Sequence, residues 1–167
     1  GRERARRAPQ PPLRRSGHQC CAEPAPSMSP YGVSSASTAF INELARICEK
    51  TGADALEVER GLKSDIRIGS RAYLHAGGAF AGGTLARDIG FLLEISAREN
   101  VAANLLAGVR QSNDIHKGWI QQRLPEALGS LAGKTVAVLG LTYKAGTDTL
   151  RRSSSVETCR WLSAQGA

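Results

Sequence analysis

The sequence contains no long hydrophobic run and few aromatic residues. No apolar stretch approaches the roughly 20 residues that a helix needs to span a bilayer, so we expect no membrane segment. Aromatic residues make up 5% of the chain, and they are not interleaved with basic residues on one face. Because nucleic acids are bound by surfaces of that kind, we expect no nucleic-acid partner.

Cysteine is scarce, and its spacing suits neither a disulfide framework nor a metal site. Cys20 and Cys21 are adjacent, which is too close for metal ligands. Cys48 and Cys159 stand singly in helix-like surroundings, where a small buried hydrophobic residue is a simpler interpretation than a reactive thiol. We therefore expect no metal site and a reducing, cytoplasmic location.

Positive charge and proline are concentrated in residues 1–30. This segment holds six arginines against two glutamates, which accounts for +4 of the net charge of +7, and six of the seven prolines. It has almost no large aliphatic residues, so we expect it to be disordered. An organellar transit peptide and a nucleic-acid arm are alternative interpretations, and disorder without function is favoured over both. The chain begins with Gly1, which suits a fragment or a misplaced gene start.

Residues 31–125 show the period of amphipathic helices. Helices are predicted from Ser37 to about Thr51, over Ala55–Gly61, from Asp88 to about Glu99 and over Val101–Leu124. The apolar positions expected to face a core are Phe40, Leu44, Ile47 and Cys48 in the first helix and Leu105, Leu106, Val109, Ile115, Trp119 and Ile120 in the last. The segment is thus predicted to be a mainly α domain, with Pro125 and Gly129 marking the break at its end. His116, without a partner at metal-ligand spacing, is assigned no role.

Residues 126–167 change to the pattern of an α/β unit. Lys134–Leu141 form a short apolar run rich in β-branched residues, as in a buried parallel strand. A loop over 142–153 and a helix over about Ser154–Gln165 are predicted to follow. Because a parallel sheet needs several such units, we expect an incomplete α/β domain here.

Glycine is concentrated in a loop that leads into a helix. The loop contains Gly77 and Gly78, and Gly82 and Gly83 precede Thr84 within it. Glycines let a backbone approach a ligand closely, and the N–H groups at the start of a helix attract anionic oxygens. This loop is therefore the predicted ligand site.

Four motifs follow one another along the chain: Ala39–Glu43 (AFINE), Asp65–Gly69 (DIRIG), the segment from Tyr73 to Asp88 that contains the glycine loop, and Leu141–Arg151 (LTYKAGTDTLR). In this order they resemble the central-helix start, the Asp-Pro-Arg-Ile-Gly segment, the catalytic Gly-Tyr-Gly-Gly-x-Cys-x-Pro-Lys-Asp loop and the Phe-Lys-x-x-Thr-x-Asp-x-Arg run of the nucleotide-sugar dehydrogenases. That group is the UDP-glucose and GDP-mannose dehydrogenase family, and the match covers about residues 37–167.

The resemblance implies a mainly α central dimerisation domain followed by a truncated, Rossmann-like α/β strand-loop-helix unit. It also implies NAD-dependent oxidation of the C6 alcohol of a UDP-sugar toward a carboxylate. A UDP-sugar and a second copy of the chain are the expected partners.

The same resemblance assigns roles to individual residues. Thr84 falls at the position of the family's nucleophilic cysteine, and Asp88 falls at that of an aspartate that orients water. An ordinary acid near a helix N-terminus is the alternative for Asp88. Arg151 matches an arginine that reaches the cofactor NAD. The positions matched to substrate binding are Arg67 (which in the family reaches the partner subunit's sugar site), Tyr73, Leu74, Gly77, Gly78, Phe80, Gly82 and Lys144.

Departures from the family pattern bear on activity. A threonine hydroxyl lacks the acidity of a thiol and needs a base to become a nucleophile. Thr84 is therefore expected to orient water or hold the sugar, and a single two-electron oxidation without covalent catalysis is a further hypothesis. The family's catalytic lysine would fall near Ser27, yet the first lysine of the chain is Lys50. With the N-terminal NAD-binding domain also missing, we expect a fragment that is inactive alone. A non-enzymatic helical dimerisation or scaffold module is the alternative.

Overall fold

The described part of the protein, in a computed structural model, is an arrangement of helices. It comprises residues 31–81, 83–142, 145–151 and 153–167. The helices in these ranges are α1 (Tyr31–Thr51), α2 (Ala55–Ser64), α3 (Thr84–Arg98), α4 (Asn104–Lys117), α5 (Trp119–Leu128) and α6 (Ser154–Ala164). None of the described residues forms a β-strand. The prediction of a mainly α fold is thereby confirmed.

A small core lies where α1, α3 and α4 pack together. Its buried members are Ala39, Phe80, Ile89 and Val109, each from a different helix or, for Phe80, from the glycine loop. Burying a side chain the size of valine or isoleucine contributes about 1.5–3 kcal/mol. Because Phe80 belongs to this core, the glycine loop is attached to the helices by apolar packing as well as by hydrogen bonds.

Local signals mark the end of α1 and the start of α2. The N–H of Gly52 donates to the carbonyl of Cys48 (2.9 Å), and Gly52 has a φ of 76°, a left-handed conformation that ends helices. The carboxylate of Asp54 then accepts from the N–H of Leu56 (2.7 Å) and caps α2. A short turn between helices follows from these two residues.

Two predicted helix boundaries were wrong. Helix α3 begins at Thr84 and not at Asp88, because the N–H of Arg87 already donates to the carbonyl of Gly83 (3.2 Å). An acidic residue is favoured near a helix start but does not define it. Helix α1 also extends back to Tyr31, before the predicted start at Ser37.

The single helix predicted over Val101–Leu124 is two helices. At Gly118 the N–H donates to the carbonyl of Ile115 (3.1 Å), three residues back, so α4 tightens and ends. Helix α5 then continues through Pro125 and ends where Gly129 adopts a φ of 69°. Of the two residues predicted to mark a break, Pro125 lies inside α5, and Gly129 directly follows its last residue, Leu128.

The predicted apolar faces were partly wrong. Phe40 and Ile47 of α1 and Leu105 and Ile115 of α4 are exposed. The predicted inward residue Cys48 is buried, and the other buried positions of α1 are Ser35, Thr38, Ala39, Ile41 and Asn42. The inward face is therefore rotated relative to the face that hydrophobicity alone selects.

The strand predicted over Lys134–Leu141 is absent, whereas the helix predicted after it is confirmed as α6. A strand needs a neighbour to receive its backbone hydrogen bonds, and the described residues offer none. Leu139 is 93% exposed as a result. The side chain of Ser153, which caps α6 by accepting from the N–H of Val156 (3.3 Å), donates to the carbonyl of Leu141 (2.7 Å).

Two cysteines lie in the described ranges, and both are free thiols: Cys48 is buried and Cys159 is half-buried. Within the described ranges, no helix combines the length and the hydrophobicity that crossing a bilayer requires.

Candidate functional site

The glycine loop is bound to α1 by a buried amide. Asn42 is 1% exposed, and its Oδ1 accepts from the N–H of Gly77 (2.9 Å). Its Nδ2 donates to the carbonyl of Gly78 at the longer distance of 3.5 Å. Asn42 therefore holds two consecutive residues of the loop against the middle of α1.

A second buried amide holds the loop from α4. Asn113 is 2% exposed and makes two bonds to one residue: the N–H of Phe80 donates to Oδ1 (2.8 Å), and Nδ2 donates to the carbonyl of Phe80 (3.0 Å). Both backbone groups of Phe80 are thus satisfied by one side chain, as a neighbouring β-strand would satisfy them. This pairing allows the backbone of Phe80 to be buried without a sheet.

His116, one turn after Asn113 on α4, binds the same loop. Its Nε2 lies 2.8 Å from the carbonyl oxygen of Gly77. A carbonyl only accepts, so Nε2 carries the proton and donates. His116 is 7% exposed, and its Nδ1 is buried with no partner in the part of the chain that the structure describes.

Trp119 connects these contacts back to α1. Its ring lies 6.1 Å from that of His116, at an interplanar angle of 26°. Its indole N–H donates to the carboxylate of Glu49 on α1 (2.9 and 3.2 Å). Arg123 approaches the same carboxylate at 3.7 Å. The indole is therefore held at both its ring and its N–H group.

These residues surround a cavity of about 680 Å³, a volume within the range of about 300–1,000 Å³ that is typical of small-molecule sites. Its lining comes from α1, the glycine loop, the α4–α5 junction and the start of α6. The lining residues are Asn42, Ala45, Arg46, Glu49, Ala55, Ala76, Gly77, Gly78, Ala79, Phe80, Ala81, His116, Lys117, Trp119, Ile120, Gln121, Ser154, Glu157 and Thr158. Of the residues predicted to bind substrate, Gly77, Gly78 and Phe80 are thus brought together.

The predicted catalytic positions lie on α3, outside the lining of this cavity. Thr84 is the first residue of α3, and Asp88 is one turn later on the same side of the helix. Both are half-buried. The carboxylate of Asp88 lies 3.3 Å from the guanidinium of Arg87, an exposed side chain.

Three further residues predicted to bind substrate precede the loop and do not line the cavity: Arg67, Tyr73 and Leu74. The guanidinium of Arg67 is exposed and binds its neighbour Asp65, whose Oδ1 also accepts from the backbone N–H of Arg67 (2.8 Å). These hydrogen bonds lower the pKa of Asp65 and raise the pKa of Arg67. Tyr73 is exposed and Leu74 is buried.

Gly82 and Lys144, also predicted to bind substrate, lie outside the described residues. Arg151, predicted to reach NAD, is exposed. No strand precedes it in the described ranges, so these residues do not form the strand-to-helix turn that receives a dinucleotide. NAD therefore does not fit the residues described.

Sequence reasoning missed the residues that bind the glycine loop. Asn42 was noted only as part of a motif, Asn113 was not singled out, and Trp119 was interpreted as a packing residue. One signal was available in the spacing. Val109, Asn113 and His116 recur at intervals of four and three, which places two polar side chains on the apolar face of α4.

The described residues include no group of three or more His, Cys, Asp or Glu side chains close enough to hold a metal ion. His75 instead binds a carboxylate, with its Nδ1 2.7 Å from Glu59. Besides backbone groups, amides, an imidazole and an indole, the cavity lining contains the charged side chains of Arg46, Glu49, Lys117 and Glu157.

Residues 33–115 match the central domain of the UDP-glucose/GDP-mannose dehydrogenase family. A UDP-glucose 6-dehydrogenase of Rickettsia bellii is 40% identical over 129 residues, which are 77% of this chain and 30% of that protein. The UDP-glucose 6-dehydrogenase TuaD of Bacillus subtilis is 35% identical over 128 residues, covering 77% of this chain and 28% of its own length.

A solved structure agrees with these relatives. The UDP-glucose dehydrogenase of the hyperthermophilic archaeon Pyrobaculum islandicum aligns with a TM-score of 0.73 and 30% identity, covering 82% of this chain and 32% of that one. The present chain spans 30% of the length of the Rickettsia bellii protein. The chain belongs, through its helical central region, to the UDP-glucose/GDP-mannose dehydrogenase family.

Proposed function

We propose that this chain is a fragment of a nucleotide-sugar 6-dehydrogenase and that its glycine loop binds a UDP-sugar. The reaction to which the site belongs is the NAD-dependent oxidation of the sugar C6 alcohol, and the cytoplasm is the proposed location. In the complete reaction NAD serves as the oxidant, and the residues described here serve the sugar nucleotide.

One observation carries the proposal. Buried side chains bind the backbone of Gly77 and Phe80, whereas the N–H groups of Gly78 and Ala79 between them have no hydrogen-bond partner among the described residues. Both of these residues line the cavity. Two adjacent free N–H groups on a fixed loop are suited to the acceptor oxygens of a sugar or a diphosphate.

We propose that Thr84, which lies outside the lining of the cavity, limits the chemistry available to a bound sugar. As the first residue of α3 it stands beside unpaired N–H groups, but its hydroxyl is not a nucleophile without a base. We therefore propose that the 167-residue chain binds a UDP-sugar and does not form a covalent adduct with it. Asp88, one turn along the same helix, is the proposed orienter of water.

Residues 126–167 are proposed to begin an α/β nucleotide-binding unit. Helix α6 is capped by Ser153 and folds without a sheet, whereas Leu139 and Leu141 of the preceding apolar run remain exposed. Exposed leucines in an apolar run are what a strand presents before it is covered by neighbouring strands and helices.

Titration calorimetry of the 167-residue chain with UDP-glucose tests the proposal. We expect saturable binding that Lys144→Ala weakens about tenfold or more, since a charged hydrogen bond contributes about 1.5–3 kcal/mol. Lys134→Ala, which alters an exposed lysine at the start of the apolar run Lys134–Leu141, is the matched control and should bind like the parent chain. No saturable heat with UDP-glucose would refute the proposed site, and reduction of NAD by this chain would refute its inactivity.

A dimerisation module is the second candidate, and an exposed apolar stripe on α1 favours it. Val33, Phe40 and Ile47 are exposed and recur every seven residues along this 21-residue helix. A seven-residue repeat places them on one side of the helix, as in the contact line between paired helices. This α1 stripe is compatible with sugar binding, because it leaves the cavity-lining residues Asn42 and Glu49 free for the site.

A further inference from the structure

Gly77 is bound through both of its backbone groups by side chains from two different helices. Asn42 of α1 accepts from its N–H, and His116 of α4 donates to its carbonyl. Both side chains are almost completely buried, although Gly77 itself is exposed. Two buried polar groups are therefore used to fix a residue that faces solvent.

These contacts continue into a closed circuit. His116 stacks with Trp119 of α5, and the indole N–H of Trp119 donates to Glu49, which lies seven residues after Asn42 on α1. The circuit thus runs from α1 to the glycine loop, to α4, to α5 and back to α1. All of its members line the cavity.

The chemistry of His116 indicates what the circuit is for. Its Nδ1 is buried without a partner in the described ranges, which costs free energy because a polar atom is removed from water. A phenylalanine would fill the same space and stack on Trp119 without that cost. Packing therefore does not require a histidine here, and its particular contribution is the Nε2–H bond to Gly77.

We infer that His116 is a positioning residue, which sets the conformation of Gly77 so that the N–H groups of Gly78 and Ala79 stay available to the oxygens of the bound sugar nucleotide. This inference rests on the proposed function, because the ligand is the one proposed above. His116 touches the loop and not the reacting atoms, so its effect is on binding.

The first test is His116→Phe, which keeps an aromatic ring and removes the donor. We expect amide hydrogen exchange in the peptides covering residues 76–81 to accelerate at least tenfold and the Kd for UDP-glucose to rise about tenfold. His116→Gln, whose side-chain amide reaches the same carbonyl, should restore most of both values. Unchanged exchange and affinity in His116→Phe would overturn the inference.

A control separates positioning from general stability. Leu162→Ala opens a buried apolar position on α6 that lies outside the core cluster containing Phe80 of the loop. At a matched loss of unfolding free energy, we expect it to leave the exchange of residues 76–81 and the Kd unchanged. If it changes them as much as His116→Phe does, His116 is merely structural and the inference is wrong.

Two further comparisons keep the outcome decisive. If His116→Phe does not fold, His116→Gln and His116→Asn are compared in its place. The two side chains differ by one methylene, and only the longer glutamine is expected to reach the carbonyl of Gly77. Equal hydrogen exchange of residues 76–81 in both variants would overturn the inference. If the parent chain does not bind UDP-glucose, the proposed function fails, whereas hydrogen exchange still measures the hold of His116 on the loop.

Discussion

At the scale of single residues, buried amides take the place of a sheet for the glycine loop. Asn113 satisfies the N–H and the carbonyl of Phe80 together, and Asn42 does the same for the N–H of Gly77 and the carbonyl of Gly78. A buried backbone group without a partner costs about 1–3 kcal/mol. These two side chains therefore allow the loop to be irregular and still have its backbone bound.

Asn113→Ala should destabilise the chain by about 2–4 kcal/mol, because it leaves both backbone groups of Phe80 buried and unpaired. Urea unfolding followed by circular dichroism measures the change. Gln111→Ala, an exposed position on the same helix, is the control and should change the free energy of unfolding by less than about 0.5 kcal/mol. A loss below about 1 kcal/mol in Asn113→Ala would show that the loop does not depend on this side chain.

Sequence reasoning located the candidate catalytic residues on the chain but did not show where they lie relative to the cavity. The placement of Thr84 and Asp88 followed from a motif, and the structure adds that they share one side of α3, one turn apart. The motif did not indicate that they lie apart from the cavity lined by Gly77, Gly78 and Phe80. The packing of α1, α4 and α5 determines which residues line the cavity, and no single motif contains that information.

At the scale of elements, Glu59 joins α2 to the segment before the glycine loop. Its carboxylate binds Lys63, one turn along α2, at 2.6 Å, and His75 at 2.7 Å. The hydrogen bond from Lys63, followed by that from His75, lowers the pKa of Glu59 from its ordinary value of 4.5. The charged form is consequently the form that stabilises the fold.

The sign of the pH dependence follows from that lowered pKa. The contribution of Glu59 is fully present above pH 4.5, and it is lost as the pH falls through the lowered pKa. Glu59→Gln should therefore lower stability near neutral pH and make the loss of stability in acid shallower. Urea unfolding at neutral pH and at several acidic pH values measures both effects.

Glu57→Gln provides the control for this pH series. Glu57 is on the same helix and pairs with Arg60, but both side chains are largely exposed, and such pairs contribute about 0–1 kcal/mol. A Glu57→Gln variant should follow the parent chain closely at every pH. An acid dependence that is the same in Glu59→Gln and the parent would contradict the assigned role of Glu59.

Helix existence was predictable, whereas helix ends and inward faces were not. The segments of α2 and α6 were predicted because their apolar residues recur at helical spacing, but α4 and α5 were merged into one helix. The division at Gly118 depends on a hydrogen bond three residues back to Ile115, which leaves no mark on hydrophobic periodicity.

At the scale of the whole molecule, the core is small and much apolar surface stays outside it. Four buried residues form the main cluster, whereas the α1 stripe remains exposed. Exposed apolar residues aligned along a helix are typical of an association surface. The dimerisation proposed above would cover this stripe.

Phe40→Glu tests that association. In sedimentation equilibrium we expect the parent chain to be dimeric and Phe40→Glu to be monomeric at the same concentration, because a carboxylate would be buried in an apolar contact. Ile115→Glu, which alters an equally exposed apolar residue on α4, should remain dimeric. A monomeric parent chain, or a Phe40→Glu variant that stays dimeric, would refute the α1 stripe as the contact.

The sequence by itself determined the helical class, the glycine loop and the family, because helical periodicity and the order of short motifs are local properties of the chain. Tertiary structure decided which residues bind the loop. Asn42, Asn113, His116 and Trp119 are brought together by three helices. Tertiary structure also decided that Lys134–Leu141 do not form a strand. Strand pairing and buried polar contacts both require a partner elsewhere in the fold, and only the packed structure identifies that partner.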